Sequence, residues 1–230
     1  MIKCFHLSVS ALHDGSPIFD DLLMEVAPRS WVEVCGPPSS GKSLLFSILA
    51  VRMLAPRGKL IIGGRNLDRL KAGGYAELRQ SMGTCSQNPE LLLGRTAMEN
   101  LVVPLVVRKK ADDAAHKALV LLEAVGREAL RDVPILAMSQ EDRQLIAVLR
   151  ALIGHPSLIL IDGSMETFEP DLRETLVGLL DAARDKGGTI ILFSREPTPE
   201  RPDDALWYTI AHGKLHETTL QEISVEEVAS

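Results

Sequence analysis

The sequence predicts an α/β fold in which antiparallel strands come first and a helical insert interrupts a parallel-sheet unit. Apolar and polar residues alternate through 2–9 and 17–26, on either side of a turn at His13 to Ser16, as in an antiparallel hairpin. Residues 157–161 and 189–193 are largely apolar, which is typical of strands buried on both faces of a parallel sheet. Between about 95 and 153, helical periodicity replaces the strand patterns.

Taken in order, the first half contains three further strands and two helices after the hairpin. The strands are predicted at 31–35, 59–62 and 82–86, and the helices at 42–54 and 75–82. Pro56 ends the first helix, because proline cannot continue the backbone hydrogen bonding.

In the second half, two helices precede the two buried strands and a third lies between them. They are predicted at 112–125, 139–153 and 169–186, the last of them with Pro170 at its start. A hairpin at 205–211 and 214–218 turns at Gly213, and a terminal helix is expected at 220–228.

Composition narrows the class of protein. Of 230 residues, 46% are hydrophobic and 24% charged, which is ordinary for a soluble globular chain and excludes a disordered one. The net charge of −6 disfavours nucleic acid as a partner. Cys4, Cys35 and Cys85 are too scattered for a zinc site or a disulfide framework, so we expect buried, reduced thiols.

No segment resembles a membrane span or a secretion signal. The densest apolar run, 101–107, is short and contains Pro104, whereas a spanning helix needs about 20 apolar residues. The N-terminus lacks a long apolar run. We therefore expect any membrane association to go through a partner.

One loop carries a strong chemical signature, because it matches the P-loop pattern G-x-x-x-x-G-K-[ST] between a predicted strand and a predicted helix. Glycines let successive backbone N–H groups turn toward phosphate oxygens, and the helix N-terminus adds a positive dipole. Lys42 is the cation for the outer phosphates, and the Ser43 hydroxyl is a predicted Mg²⁺ ligand. The loop residues are Gly36, Pro37, Pro38, Ser39, Ser40, Gly41, Lys42 and Ser43.

An acidic residue follows a buried apolar strand, as a phosphate site of this kind requires. Asp162 comes directly after Leu158 to Ile161. We expect it to hold Mg²⁺ through water, because Mg²⁺ keeps most of its hydration shell.

On these motifs and their order, nearly the whole chain resembles an ATP-binding cassette (ABC) ATPase. Residues 66–78 and 91–104 are similar to the small subunits of the lipoprotein-release, macrolide-efflux and cell-division group. The resemblance implies a P-loop NTPase fold and one domain over 1–230. Its RecA-like core and antiparallel β subdomain would occupy about 1–87 and 155–230, and its helical subdomain about 88–154.

The resemblance also implies cofactors, partners and a location. ATP and Mg²⁺ would bind between two cassettes arranged head to tail, in a homodimer or a heterodimer. A membrane permease subunit would hold the chain on the cytoplasmic, inner face of the cell membrane, and residues 101–107 are a candidate docking surface or ordinary core.

Further site residues come from the family pattern. Gln87, after the strand at 82–86, corresponds to the glutamine that contacts Mg²⁺ and the attacking water. His13, in the first turn, is placed to stack on adenine or is a solvated turn residue. Counting back from Arg150, Ser139 corresponds to the signature serine that contacts the γ-phosphate, whereas counting forward from Pro134 loses it.

Several family features are missing. The signature segment should read LSGGQ, but residues 138–142 read MSQED, so both glycines are absent and two carboxylates are added. The glutamate that should follow Asp162 is Gly163, and the switch histidine is Arg195. Glycine cannot act as a general base, whose loss typically removes about 10²–10⁴ in rate. Glu166 and Glu169 are the nearest other acids in the sequence.

We therefore predict an ATP-binding subunit of an ABC-type membrane transporter that closes as a dimer on Mg-ATP, with hydrolysis weak or absent. The alternative is a non-catalytic pseudo-ATPase scaffold or regulator that pairs with an active ABC subunit. A soluble ABC protein of DNA repair or translation would carry long insertions or a second cassette that this chain lacks. A P-loop kinase fits the positions of Gln87 and 138–152 less well.

Overall fold

The computed structural model describes residues 1–11, 15–163 and 165–218. In these residues the predicted order of strands and helices is present, with a short strand at 65–66 and a helix at 97–107 in addition. The strands are β1 (Ile2–Ser10), β2 (Pro17–Val26), β3 (Trp31–Cys35), β4 (Arg57–Ile62), β5 (Arg65–Asn66), β6 (Met82–Cys85), β7 (Leu158–Asp162), β8 (Thr189–Phe193), β9 (Leu206–Ala211) and β10 (Lys214–Thr218). The α-helices are α1 (Lys42–Leu49), α2 (Ala72–Gln80), α3 (Ala97–Val107), α4 (Ala114–Ala124), α5 (Gln140–Leu152) and α6 (Pro170–Asp185).

A six-stranded sheet forms the centre of the molecule, in the order β10-β9-β3-β8-β7-β6. Its strands are parallel except for β10, which forms a hairpin with β9. Every residue of β3, β7 and β8 is buried, as predicted for the two apolar runs that become β7 and β8. Because carboxyl ends of parallel strands share one edge of the sheet, the loops after Cys35, Cys85, Asp162 and Phe193 lie together.

A second sheet of four antiparallel strands, β2-β1-β4-β5, covers one side of the core. Its register pairs Ile2 with both Val26 and Ile62. Helix α1 packs in the hydrophobic cluster that joins the two sheets, with Leu45 and Ile48 fully buried. The antiparallel sheet therefore supports the helix that opens the phosphate loop.

The chain between β6 and β7 is helical. Helix α3 begins with a capping box, in which Thr96 accepts from the Glu99 N–H and Glu99 accepts from the Thr96 N–H. The apolar run at 101–107 lies on both faces of α3. Leu101 and Leu105 are buried in the core, whereas Val106 and Val107 are exposed. Helices α3 to α6 share a second hydrophobic cluster with the other face of the central sheet.

Two helices differ from the prediction by three residues or more at one end. Helix α1 ends at Leu49, not at residue 54, because Val51 takes a left-handed φ of 57°. The Val51 N–H bonds to the Ile48 carbonyl and the Arg52 N–H to the Ser47 carbonyl, which is a Schellman motif built without glycine. Helix α2 spans Ala72–Gln80 instead of 75–82, so its first turn contains two glycines.

The remaining expectations concern the terminus, the membrane and the cysteines. The expected helix at 220–228 lies outside the described residues. Among the residues that are described, no helix combines the length and the apolar character needed to cross a bilayer. Cys4, Cys35 and Cys85 are buried and form no disulfide, as predicted.

Candidate functional site

A cleft of about 500 Å³ opens at the carboxyl edge of the central sheet, around the start of α1. It combines the phosphate loop with the ends of β7 and β8. The lining residues are Ile18, Pro38, Ser39, Ser40, Gly41, Lys42, Ser43, Leu44, Gln87, Asp162, Gly163, Glu166, Thr167, Phe193, Ser194 and Arg195.

The loop before α1 has the backbone that the motif demands. Gly41 is the residue before the helix and has a φ of 100°. A Cβ there would lie 2.8 Å from the Phe19 ring, which is buried against it. Glycine is therefore required for conformation and for space, and the N-terminus of α1 is directed into the cleft without a side-chain cap.

The side chain of Lys42 folds back over the loop. Its Nζ donates to the carbonyl oxygens of Gly36 at 2.5 Å and Pro37 at 2.8 Å, and lies 3.4 Å from the Ser40 hydroxyl. Burial lowers the pKa of Lys42, and the charges of Asp162 and Glu166 oppose that shift. The ammonium group lies in the mouth of the cleft, where an anionic ligand would replace its carbonyl partners.

Asp162 closes the bottom of the cleft. It is the last residue of β7, is only 5% exposed, and accepts a hydrogen bond from the Ser43 hydroxyl. Burial raises the pKa of Asp162, while the Ser43 hydrogen bond and the Lys42 charge act in the opposite direction. The hydroxyl and the carboxylate that were predicted to serve Mg²⁺ are therefore in direct contact.

These donors fit the metal that the fold family implies. Ser43, Asp162 and Gln87 all line the cleft and offer hydroxyl, carboxylate and amide oxygens, which are the hard ligands that Mg²⁺ prefers. In the described part of the chain, no group of three or more His, Cys, Asp or Glu residues offers a different metal site.

The position after Asp162 lacks a functional side chain. Gly163 has a φ of 68°, and its N–H donates to the Phe193 carbonyl at 2.8 Å. A Cβ at Gly163 would lie 3.5 Å from the Gln87 side chain. A side chain there would thus face Gln87 across the cleft, but the backbone conformation favours glycine.

Arg195 and Glu166 form the far wall of the cleft. The Arg195 N–H donates to the Glu166 carboxylate, and the Arg195 Nε lies 3.9 Å from the same group. The guanidinium is largely exposed, and its charge acts on Lys42. The arginine that stands in place of the switch histidine is therefore beside the phosphate loop, where it can attract anions and cannot accept a proton.

Ser139 lies outside the cleft of its own chain. It is the N-cap of α5, accepting from the Asp142 N–H at 3.0 Å and donating to the Asp142 carboxylate at 2.7 Å. Asp142 and Glu141 fill the first turn of α5. The positive end of this helix is thus already satisfied by the chain's own carboxylates.

Gln87 is held near the cleft by the helix that Ser139 caps. On α5, Gln144 is buried and donates to the Ser86 carbonyl at 3.3 Å. This contact ties the segment that carries Gln87 to the helical insert.

The structure thus brings Pro38 to Ser43, Gln87, Asp162, Gly163 and Arg195 together, with Gly36 and Pro37 beneath them. His13 lies outside the described residues. Sequence reasoning missed Ile18, which contributes an apolar wall from β2. It also missed Phe193, which lies opposite Asp162 in the parallel register. Only that register, which the sequence does not display, could have identified Phe193.

Known proteins share much of the sequence of this chain. The family model described as ABC transporter matches residues 19–166. The chain is 32% identical over 203 residues to the lipoprotein-releasing system ATP-binding protein LolD of Treponema denticola, covering 87% of this chain and 89% of that protein. It is 28% identical over 186 residues to the methionine import ATP-binding protein MetN of Cereibacter sphaeroides, covering 79% and 53% respectively. The chain thus spans about half the length of the methionine import relatives.

Solved structures share the fold. The dimeric, post-hydrolysis structure of the ATP-binding cassette MJ0796 bound to ADP and Pi superposes with a TM-score of 0.87 at 20% identity, covering 96% of this chain and 99% of that one. A nucleotide-free ATP-binding cassette from an ABC transporter gives a TM-score of 0.78 at 18% identity, covering 100% and 95%. These likenesses confirm the predicted ABC ATPase fold.

The family match includes the phosphate loop and Asp162, and the lipoprotein-release relative aligns with most of both chains. On these two grounds, the chain belongs to the ABC transporter family, as an ATP-binding cassette.

Proposed function

We propose that this chain is the nucleotide-binding subunit of an ABC-type membrane transporter complex, and that it holds Mg-ATP while hydrolysing it slowly or not at all. One observation carries the proposal. A complete phosphate loop with Lys42 stands beside Asp162, while the next residue, Gly163, has no group that can accept a proton.

The binding half rests on the loop and its helix. The N-terminus of α1 and the Lys42 ammonium face the same cleft, so they would share the charge of a triphosphate. Bound Mg²⁺ would neutralise phosphate charge, with Ser43, Asp162 and Gln87 as the residues that hold it. Ile18 would contact the less polar part of the nucleotide.

The proposed slow hydrolysis rests on the lack of a general base at the position after Asp162. The nearest described carboxylate on the far wall, Glu166, is engaged by the N–H of Arg195. A cationic Arg195 attracts the outer phosphate but cannot take a proton from water. Losing the general base removes about 10²–10⁴ in rate, so slow turnover is the expected state.

The partner half of the proposal rests on the relatives and on one groove. Those relatives are named for methionine import and lipoprotein release. A groove of about 460 Å³ runs between β6 and α3, where the exposed Val107 and the half-buried Val103 lie beside arginines. We assign it to a permease subunit that keeps the chain on the cytoplasmic face of the membrane. Its lining includes Val103, Val107, Arg52, Arg79, Arg108 and Arg150.

We assign a function to each of the subdomains predicted above. The helical subdomain, about 88–154, would transmit the state of the cleft to the permease through Gln87 and α5. Dimer closure on ATP would supply the motion, in a homodimer or in a heterodimer with another cassette.

Titration of the purified chain with a fluorescent ATP analogue, together with a phosphate-release assay, tests the proposal. We expect saturable binding with little phosphate release. Lys42→Ala should weaken binding at least about tenfold, because it removes a charge-assisted contact. Lys110→Ala, which removes an exposed lysine in the loop after α3, is the matched control and should bind like the wild type.

Two results would contradict this function. Rapid phosphate release that Lys42→Ala abolishes would show an active ATPase, and no binding at all would leave the loop without a ligand. The scaffold alternative is favoured by the acidic first turn of α5. It would replace the proposal if Lys42→Ala lost ATP binding but fully complemented a deletion strain.

A further inference from the structure

A glutamate lies fully buried in the strand that leads to the phosphate loop. Glu33 is the central residue of β3, between Val32 and Val34, and has no exposed surface. A buried carboxylate is costly unless its oxygens are hydrogen-bonded. This residue is outside the cleft, so binding of nucleotide does not explain it.

Both carboxylate oxygens of Glu33 are satisfied. One accepts from the Trp31 indole N–H at 3.0 Å, and the other accepts from the backbone N–H of Thr198 at 2.6 Å. Burial raises the pKa of Glu33, and the contacts with Thr198 and Trp31 and the charge of Arg201 oppose the shift. Trp31 is local to the strand, whereas Thr198 belongs to the segment after β8.

The contact with Thr198 has a consequence for Arg195, which is three residues earlier. The Arg195 carbonyl accepts from the N–H of Gly36, the first residue of the phosphate loop, at 3.2 Å. Before it, the Ser194 N–H donates to the Val34 carbonyl at 3.2 Å. A further contact joins the Cys35 thiol and the Ser194 hydroxyl at 3.4 Å. The segment from Ser194 to Thr198 is thus bonded to β3 and the loop at four points, of which the Glu33 contact alone involves a charged side chain.

The other end of the segment is also held. The Arg201 guanidinium donates to the Thr198 carbonyl at 3.0 Å and stacks 4.9 Å from the Trp207 ring. Arg173 forms a double hydrogen bond with Glu200, at 2.7 Å for each contact. Thr198 therefore links the segment held by Arg201 and Arg173 to the buried carboxylate of Glu33.

We infer that Glu33 is a positioning residue, which fixes the segment carrying Arg195 against β3 and thereby gives the cleft its preference for ATP over ADP. The inference rests on the proposed function, because it needs Arg195 to act on the outermost phosphate. A guanidinium whose backbone is fixed loses less conformational freedom on binding that phosphate than one on a loose segment. ADP lacks this phosphate, so its affinity should not depend on Glu33.

The test compares affinities for Mg-ATP and Mg-ADP in the wild type, Glu33→Gln, Arg195→Ala and the double variant. Glutamine keeps the shape of Glu33 but loses its charge and one acceptor oxygen, so the hydrogen bond from the Thr198 N–H becomes weaker even where the remaining oxygen accepts it. We expect Glu33→Gln to weaken ATP binding about tenfold with ADP binding unchanged. In the Arg195→Ala background, the same change should have no further effect. Trp31→Phe removes the other donor and should keep the ATP preference.

Each failure has its own meaning. Equal losses for ATP and ADP in Glu33→Gln, or a loss that persists without Arg195, would overturn the inference and leave the proposed function standing. An unchanged ATP preference in Arg195→Ala would overturn both the inference and the assigned role of Arg195.

Amide exchange of the wild type gives a test without substitution. The Thr198 amide should exchange as slowly as the amides of β3, whereas fast exchange would overturn the inference even if Glu33→Gln fails to fold.

Discussion

At the scale of single residues, the shape of the cleft depends on a position that only glycine can occupy. Gly41 combines a positive φ with direct contact to Phe19. This requirement was visible in the sequence, because the loop motif is local. Glu33 was not recognised, because an acid within an apolar strand has meaning only when Thr198, far along the chain, supplies its donor. Ile18 was missed because only the folded chain brings β2 to the phosphate loop.

Gly41→Ala should destabilise the fold by about 1–3 kcal/mol and abolish ATP binding, because the new Cβ meets Phe19 and the backbone is left-handed. Gly178→Ala is the matched control. It adds the same methyl group to the exposed side of α6, where nothing lies within 4 Å, and should stabilise by about 0.5–1 kcal/mol. Urea unfolding measures both. A Gly41→Ala variant as stable as the wild type would refute the steric account.

At the scale of elements, strands were easier to predict than helix ends. The runs at 31–35 and 189–193 coincide with β3 and β8, because burial on both faces leaves a largely apolar signal, interrupted in β3 by Glu33. The end of α1 was misplaced, because Val51 fills the left-handed position that usually contains glycine. Ser139 was correctly predicted as the start of α5. Its contact with Asp142 could not be predicted, because that contact depends on the direction of both side chains.

Ser139→Ala should lower the free energy of unfolding by about 1 kcal/mol, because it removes the N-cap of α5. Its effect on ATP affinity of the isolated chain should be negligible, because Ser139 does not line the cleft. Thr175→Ala, within α6, also deletes a hydroxyl bonded to the backbone and should change stability by no more than about 0.5 kcal/mol. Chemical denaturation and nucleotide titration check the pair. Reduced ATP affinity in Ser139→Ala would show that this residue contacts the nucleotide, either in its own cleft or across a dimer.

At the scale of the whole molecule, two hydrophobic clusters lie on opposite faces of one sheet, with Cys85 in one and Cys4 in the other. Cys35, at the end of β3, is also buried. Burial raises the pKa of Cys35 to about 11 and of Cys4 to about 12. A thiol reacts through its thiolate, so reactivity here reports on opening of the fold.

At pH 8, a disulfide reagent such as DTNB should react with the native protein far more slowly than with glutathione. A pKa of about 11 for Cys35 leaves roughly one thiolate in a thousand at that pH. In concentrated urea, three thiols per chain should react quickly. Mg-ATP should slow the native reaction further, because Cys35 directly precedes the phosphate loop. A thiol that reacts at once in the native state would contradict the burial described above.

The left-handed backbone at Gly163 bears on the history of this chain. A non-glycine residue in that conformation costs roughly 1–2 kcal/mol, and a flip of the peptide would break the bond to the Phe193 carbonyl. A mutation that restored the missing acid would therefore harm folding before it improved turnover. On the proposed function, regaining hydrolysis at this position would therefore require a change of the backbone as well as of the side chain.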